Sequence, residues 1–399
     1  MGWLGLDDTD TLTDGCTTYT LHRLLNALPE GITASNPSLV RLWPFAEQRT
    51  RGNAAVAVEL STEDEPRLME FLEAYWNDYL APLRGLVSQS DQQRAQAPTD
   101  PGMVWFSERP SSSDYYSRAV RERVTIDEAP TPTRKWGGKG CIGAIAAVVW
   151  PKHLTTWEAI AWRKEERWSG VERNVCTMAI EHVSGLEKTF MTRDPTSQRS
   201  LISPRGTCPV LFGVRGTSQE AAEMAAALLL EAKATEPIIS MRVFQTNQAS
   251  DDHLDSILSS TVKGIEVLRR GTTKIETEAG DWMAFAESGD VKLMAQSLQP
   301  GDQIDVYGLE ASPGVVHIEK MRISYAAPLK VRPTCTACNR TMKAMGTNQG
   351  VRCPECKAKQ SKPWSEIERE VALNVWVQPP IDARRHLARP LEWDLHHSC

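Results

Sequence analysis

Gly5-Leu6-Asp7-Asp8-Thr9-Asp10, followed within a few residues by Asp14-Gly15-Cys16-Thr17-Thr18-Tyr19, puts three carboxylates at the end of a short apolar strand and two hydroxyls at a helix start. Carboxylates this close repel one another unless a cation or a set of donors compensates their charge. Magnesium is the common answer. It takes one or two protein carboxylates plus the oxygens of a substrate triphosphate, so Asp7, Asp8 and Asp10 suffice as catalytic acids and as its ligands. Residues 18–25 form an amphipathic run that reads as a helix. Its exposed first amides would favour a phosphate. An acidic turn with Thr17 or Thr18 as an ordinary N-cap fits the same letters, and the stretch alone does not choose between the two.

The rest of the chain narrows that choice. With 399 residues and 41% apolar content it can bury more than one core, and length suggests roughly two to four domains. No apolar run approaches the roughly 18 residues of a membrane helix. The N-terminus is acidic rather than basic, so no signal peptide is expected and the reading is of a cytoplasmic protein. Nine cysteines, four of them clustered, suggest reduced thiols and a metal rather than a disulfide framework.

Cys335-x-x-Cys338 and Cys353-x-x-Cys356 have the spacing of a zinc ribbon. Two such turns complete a tetrahedron with no open position, so the Zn2+ should be structural. The segment around it has too few apolar residues to fold without the metal. Residues 331–390 carry eleven Lys or Arg against five Asp or Glu, a balance of +6 within a chain of net charge -6, which leaves -12 elsewhere. A basic module on an acidic body suits a polyanion, and Arg384-Arg385-His386 with Arg389 adds to it near the end.

Between these signals the expected organisation is α+β and multidomain. Residues 1–194 mix strands at 54–60 and 141–149 with helices such as 65–79. Thr50-Arg51-Gly52-Asn53 and Gly137-Gly138-Lys139-Gly140-Cys141-Ile142-Gly143 form loops whose amides admit an anion, with Arg51 or Lys139 to neutralise it. This is not a Walker loop, because the Gly-Lys-Ser/Thr ending is missing. Residues 84–101 read as a flexible surface loop. Residues 195–258 read as one βαβ unit, half of a ferredoxin-like fold that earlier segments would complete. Residues 259–330 are strand-rich and suggest an OB-fold barrel. The ribbon takes 331–362, and 363–399 is a basic C-terminal extension.

Taken in order, several stretches resemble one family. They are Gly5-Leu6-Asp7-Asp8-Thr9-Asp10, Cys16-Thr17-Thr18-Tyr19, Leu39-Val40-Arg41-Leu42, Thr50-Arg51-Gly52-Asn53, Asp100-Pro101-Gly102, Val210-Leu211-Phe212-Gly213-Val214-Arg215-Gly216, Phe244-Gln245-Thr246-Asn247-Gln248, the ribbon, and Pro379-Pro380 through Ala383-Arg384-Arg385-His386-Leu387. The family is the archaeal tRNA(Ile) 2-agmatinylcytidine synthetases, and the likeness runs almost end to end.

The resemblance implies an ATP-dependent, AMP-producing ligase that joins agmatine to C2 of the wobble cytidine in the CAU anticodon of tRNA(Ile). It implies a kinase-like N-terminal domain in which the threonine matching Thr18 is autophosphorylated beside metal-binding Asp7, Asp8 and Asp10. It also implies an OB-fold and ribbon that grip the tRNA. Nucleotide contacts are expected at Thr17, Arg51, Asn53, Gly138, Lys139 and Gly140. The cytidine O2 is a poor leaving group and must be activated through phosphate before an amine displaces it. The base must also leave the anticodon stack. Agmatine's guanidinium needs a carboxylate, for which Asp251 or Asp252 is available. A non-catalytic tRNA-binding protein would need the barrel and ribbon only, and a small-molecule or protein kinase would need the acidic opening only.

Overall fold

The computed structural model describes residues 1–12, 15–49, 52–89 and 95–393. The chain divides into two compact units, residues 1–255 with 381–399, and residues 256–380. Among the described residues no helix is long and apolar enough to cross a membrane.

The first unit is built on one ten-stranded sheet. Its first half contains β1 (Gly2–Asp7), α1 (Thr17–Asn26), β2 (Thr33–Ala34), β3 (Ser38–Arg41), β4 (Ala54–Ser61), α2 (Glu65–Tyr75), β5 (Gly102–Phe106), α3 (Asp114–Ala119), β6 (Arg134–Gly137) and α4 (Gly140–Val148). The second half contains β7 (Thr156–Arg163), α5 (Thr177–Ser184), β8 (Thr189–Phe190), β9 (Val210–Gly216), α6 (Gln219–Glu231) and β10 (Ile238–Thr246). The strand order is β6-β5-β1-β4-β3-β10-β7-β9-β8, with β2 on β4.

That order holds a repeat. In β1-α1-β3-β4-α2-β5 the fourth, first, third and second strands lie side by side, and β7-α5-β8-β9-α6-β10 has the same order. The two copies join edge to edge through the parallel pair β3 and β10. The βαβ unit read at 195–258 is therefore split, with β7 running antiparallel between β9 and β10. The sheet also passes without a break across residue 194, where the sequence suggested a boundary.

Alternation along the strands sends Leu4, Leu6, Leu39, Val56 and Val58 to the face covered by α1 and α2. Val40, Ala55, Ala57 and Val104 go to the opposite face, under α3 and α4. Ala159, Ala161 and Val214 lie under α5 and α6. The helix expected at 18–25 spans Thr17–Asn26, and Asp64 caps α2 by accepting from the Arg67 amide at 3.0 Å.

The expected strand at 141–149 is instead α4. A short, wholly apolar run has no period to separate strand from buried helix, and Gly-Cys-Ile-Gly-Ala-Ile-Ala-Ala-Val is rich in small residues rather than β-branched ones. The small residues let the helix touch the sheet. A Cβ on Gly5 would lie 2.4 Å from the Ala144 carbonyl oxygen, and one on Gly102 would lie 1.9 Å from the Cys141 amide nitrogen.

In the second unit, β11 (Leu258–Val267), β12 (Thr273–Thr277), β13 (Gly280–Ala284), α7 (Asp290–Ser297), β14 (Gln303–Ser312) and β15 (Val315–Tyr325) form a closed barrel. Its order is first-second-third-fifth-fourth, and Trp282, Ile304, Val306 and Met321 fill it. Beyond it, β16 (Leu329–Val331) pairs with β20 (Ser365–Ile367). Between these two, β17 (Lys343–Ala344), β18 (Val351–Arg352) and β19 (Lys359–Gln360) make a small sheet. Arg369 holds the returning chain with both oxygens of the fully buried Asp302, at 2.6 and 2.7 Å.

Replacing Gly5 by Ala forces α4 off the sheet and should cost about 1–3 kcal/mol in chemical denaturation. Gly206, which has nothing within 4 Å of its Cβ position, should accept Ala within about 0.5 kcal/mol.

Candidate functional site

The end of β1 meets two other segments at one corner of the sheet. Asp7 pairs with Gly102 of β5, and Gly102 pairs with Gly137 of β6, whose loop leads into α4. The Asp7 carboxylate lies against the first turn of α4, where a Cβ on Gly143 would be 1.9 Å from Oδ2. Burial raises the Asp7 pKa well above the ordinary carboxylate value, Asp8 and Asp10 raise it further, and the Asp8 amide, donating to Asp7 Oδ1 at 2.7 Å, opposes them.

Asp8 has a left-handed φ of 55°, a conformation that Asp and Asn tolerate better than other side chains. This turn carries its Oδ2 to the Asp100 amide at 2.9 Å. Burial pushes the Asp8 pKa up to about 7, the Asp100 amide pulls it down, the carboxylates of Asp10 and Asp100 push it up again, and Lys139 lowers it.

Asp100 ties the corner together. Its Oδ2 accepts the Lys139 amide at 2.8 Å, its carbonyl accepts the Gly140 amide at 2.9 Å, and its Oδ1 lies 3.1 Å from Arg84 Nε. Gly138 is required beside it, since a Cβ there would fall 2.1 Å from the Asp100 oxygens. The Lys139 side chain donates to Gln48 Oε1 at 2.6 Å.

Asp10 faces elsewhere. It is buried, and its Oδ1 accepts from Thr17 Oγ1 at 3.2 Å. Thr9 Oγ1 lies 3.3 Å from Thr17 Oγ1, and Gln96 fastens the strand end by accepting from the Leu12 amide at 2.8 Å. Thr18 Oγ1 lies 2.9 Å from Cys16 Sγ, and Cys16, not a threonine, occupies the N-cap of α1, without a side-chain cap bond.

Asp7, Asp8, Gly138, Lys139 and Gly140 thus share one corner, with Asp10 and Thr17 beside it. The three aspartates do not converge as a closed trio. Among the described residues, only the four cysteines bring three or more candidate metal-binding side chains within 4.8 Å of one another. Asp10 Oδ1 is bonded to Thr17, while its charge still raises the pKa of both Asp7 and Asp8. Asn53 stands outside the corner, with its side-chain amide donating to the Trp43 carbonyl at 2.7 Å. Arg51, with Asp14 and Thr50, lies outside the described residues. Asp100 and Gln96 were missed as site residues, because only the β1–β5 pairing brings them to Asp7 and Asp10.

The carboxylates suggested for agmatine have internal partners. Asp252 Oδ2 accepts from the Tyr116 hydroxyl at 2.5 Å and Asp251 Oδ1 from the Arg389 amide at 2.7 Å. The Arg384–Arg389 stretch is also no free arm in the first unit. Arg384 lies 3.6 Å from Glu392, Arg385 packs over Phe45 and Arg389 over Trp393.

At the ribbon, Cys335, Cys338, Cys353 and Cys356 place one sulfur each within 4.8 Å of the others, as a tetrahedral Zn2+ requires. Asn339 and Lys357, each directly after a Cys-x-x-Cys pair, both have positive φ, at 52° and 63°. The two knuckles therefore turn alike. Only Met342 and Val351 pack with the cysteines as a buried core, so the metal supplies the stability.

Comparison with known proteins finds one family along nearly the whole chain. Three family models match, the TiaS TCKD domain at residues 3–139, the TiaS FLD domain at 138–253 and the TiaS C-terminal zinc ribbon domain at 332–371. An isoleucine-tRNA 2-agmatinylcytidine synthetase, TiaS, from Methanopyrus kandleri is 31% identical, with 98% of this chain and 96% of the relative covered. The enzyme of the same name from Methanosarcina acetivorans is 31% identical over 97% and 96%. Among solved structures, a complex of TiaS with its isoleucine tRNA and ATP superposes with a TM-score of 0.79 at 27% identity, covering 98% of this chain and 97% of that one. A complex of TiaS with the same tRNA, AMPCPP and agmatine gives 0.76 at 25% identity, covering 98% and 96%.

Asp8 yields a pH test. Its folded-state pKa lies above the ordinary 3.8, so the native state holds a proton that the unfolded chain releases between about pH 4 and 7. Without divalent cations, this group's contribution to stability falls as pH rises through that window. Asp8→Asn keeps the left-handed turn and loses the titration. The stability of the wild type minus that of Asp8→Asn, from denaturant midpoints, should decline from pH 4 to 7 and then level off.

Proposed function

Because the chain belongs to the TiaS family, the isoleucine-tRNA 2-agmatinylcytidine synthetases, we propose that it uses ATP to ligate agmatine to C2 of the wobble cytidine of tRNA(Ile). The observation that carries this reading is the corner where Asp7 and Asp8 meet the glycine-lined start of α4 on a sheet edge, in a chain whose other unit holds a barrel and a zinc ribbon.

Each part has a chemical task. The cytidine O2 must become a phosphate-type leaving group before the primary amine of agmatine displaces it and forms the C–N bond. Asp7 and Asp8 are suited to hold Mg2+, whose contribution is to neutralise the triphosphate and orient it, since burial and mutual repulsion leave them needing a cation. Asp100 fixes the turn into α4 by accepting the Lys139 and Gly140 amides, which holds Lys139 beside the acids. Lys139, exposed on the loop beside the acids, stabilises the charge that develops on the transferred group. Thr17 and Thr18 at the start of α1 complete the phosphate side, and Asn53 lies on the approach from β4.

The domain roles follow the topology. The first repeat with α3 and α4 is the kinase-like ATP domain. The second repeat, with its fourth-first-third-second strand order, is ferredoxin-like. The barrel order and the helix between its third and fourth strands support an OB-fold. Barrel and ribbon bind the tRNA, while residues 381–393 return to complete the catalytic unit. A cytoplasmic location suits a tRNA substrate.

Incubation with labelled agmatine, ATP and unmodified tRNA(Ile) carrying the CAU anticodon should place label on the RNA, and unlabelled RNA would refute the reading. Asp7→Ala should abolish transfer while tRNA binding persists. Cys335→Ser or Cys353→Ser should instead weaken tRNA binding, read by filter retention. The affinity for Mg2+ should rise with pH toward about 7 as Asp8 gives up its proton.

A further inference from the structure

Residues 84–101, expected as a flexible surface loop, turn back on the acidic strand end. The Gly85 amide donates to the Thr99 carbonyl at 2.7 Å, the Thr99 amide to the Leu86 carbonyl at 2.9 Å and the Gln96 amide to the Ser88 carbonyl at 3.1 Å, which makes a short hairpin. From it one side chain reaches the backbone just beyond β1. Gln96 Oε1 accepts the Leu12 amide at 2.8 Å, while Nε2 donates to the Asp10 carbonyl at 3.4 Å and to Thr99 Oγ1 at 2.9 Å. Ser88 Oγ donates to the same Gln96 oxygen at 2.6 Å and accepts the Leu12 amide at 3.1 Å. Gln96, Thr99, Asp10 and Leu12 are all buried.

A carboxamide that accepts one amide and donates to the carbonyl two residues earlier stands in for a neighbouring strand, and it satisfies backbone groups that burial would otherwise leave unpaired. β1 ends at Asp7, opposite Gly102, so Gln96 continues the ladder past its last true pair. What lies between is the acidic turn. Asp8 stands there at a left-handed φ of 55°, a conformation that neighbouring bonds must hold. The Asp100 amide holds the Asp8 carboxylate, and Gln96 holds the backbone that follows.

The second repeat carries a different clamp at the corresponding place. Asp7 lies opposite Gly102 and Arg163 opposite Ile238, in each case where the first strand of a repeat ends and its fourth begins, and Asp100-Pro101 and Glu236-Pro237 precede those fourth strands. There Arg163 ties down the segment after its strand by donating to the Val171 and Glu172 carbonyls at 2.9 and 2.8 Å, and it meets both oxygens of Glu236 at 2.6 and 3.1 Å. That copy contains its own cation, buried with its carboxylate. In the first repeat the strand ends in carboxylates and the clamp is a neutral amide. A guanidinium would hold the turn as well but would cancel the negative charge, whereas the amide leaves Asp7 and Asp8 to a cation from solution.

We propose that Gln96 is a positioning residue of the acidic corner: with Ser88 behind it, its side-chain amide sets the backbone of residues 10–12, and so the Asp8–Asp10 turn, in the arrangement that receives the nucleotide's cation, and it does so without adding charge. The role rests on the reading of that corner as the Mg2+ and triphosphate site. Gln96 touches neither substrate nor cation and acts through the turn. Groups of this kind, one layer behind a metal's direct ligands, typically govern about 10–100-fold in metal affinity.

Calorimetric titration of the full chain with a non-hydrolysable ATP analogue, once as its Mn2+ complex and once metal-free with a chelator, tests the role. The ratio of the two affinities is the gain due to the metal. Gln96→Met keeps the side-chain volume and removes its hydrogen bonds, and it should lower that gain at least about tenfold while the metal-free affinity stays as in the wild type. Ser88→Ala removes only the second acceptor of the Leu12 amide and the hydroxyl on Gln96, should lower the gain about threefold, and decides the matter if Gln96→Met folds poorly. A clamp that serves folding alone would lower the denaturation midpoint and leave the gain unchanged, or weaken both affinities alike, and either result overturns the proposal. Asp7→Ala on the same footing separates the two levels. If it abolishes the gain and the Gln96 and Ser88 variants keep it, only the role of Gln96 falls. If the wild type shows no gain, or Asp7→Ala keeps it, the cation reading of the corner falls and takes the positioning role with it.

Discussion

The contact between α4 and the paired strands β1 and β5 is the constraint on which the acidic corner depends. Backbone meets backbone there, because Gly5, Gly102, Gly140 and Gly143 carry no side chains at positions where a Cβ would fall 1.9 to 2.4 Å from the nearest atom. This closeness brings the first turn of the helix onto the Asp7 carboxylate and leaves the Lys139 and Gly140 amides to Asp100. Burial then raises the pKa of both Asp7 and Asp8. The acidic corner follows from the packing of one helix.

Much of this was legible in the letters, and the reasons differ by element. The amphipathic start of α1, the Ser218-capped helix α6 and the strand Ile238–Thr246 carry strong local signals of period and cap. The ribbon was legible because four thiolates at that spacing have few other uses. The start of α4 was not, since a run of small apolar residues lacks a period. Nor was the doubled topology, because strand order is a long-range property and β7 inserts between strands that are later in the chain. Asp100 shows the same limit. It is one more acidic residue before a Pro-Gly until β5 is placed beside β1.

The charges of the first unit sort along one end of its sheet. Carboxylates gather where β1 and β6 end and β5 begins, whereas Arg41 and Arg215 gather with a single glutamate where β3 and β9 end. Phosphate chemistry needs both signs, a cation to screen the triphosphate and fixed donors to hold the group that moves. The segment 381–393 is tied into this unit, since His386 lies against Gln248 of the arginine cluster and the Leu387 and His386 carbonyls accept from the Asp251 and Ala249 amides. The barrel and ribbon are thus an excursion of the chain between two parts of a single compact unit.

The central claim is that Asp7 and Asp8 hold the cation that serves the triphosphate. Crystals of the protein grown with an ATP analogue and Mn2+, examined by anomalous scattering, test it most directly. The account requires a manganese peak at about 2.0–2.4 Å from the Asp7 and Asp8 carboxylates, with the analogue's phosphates over the start of α4. A bound nucleotide whose manganese sits elsewhere, with these carboxylates contacting only protein, would contradict it.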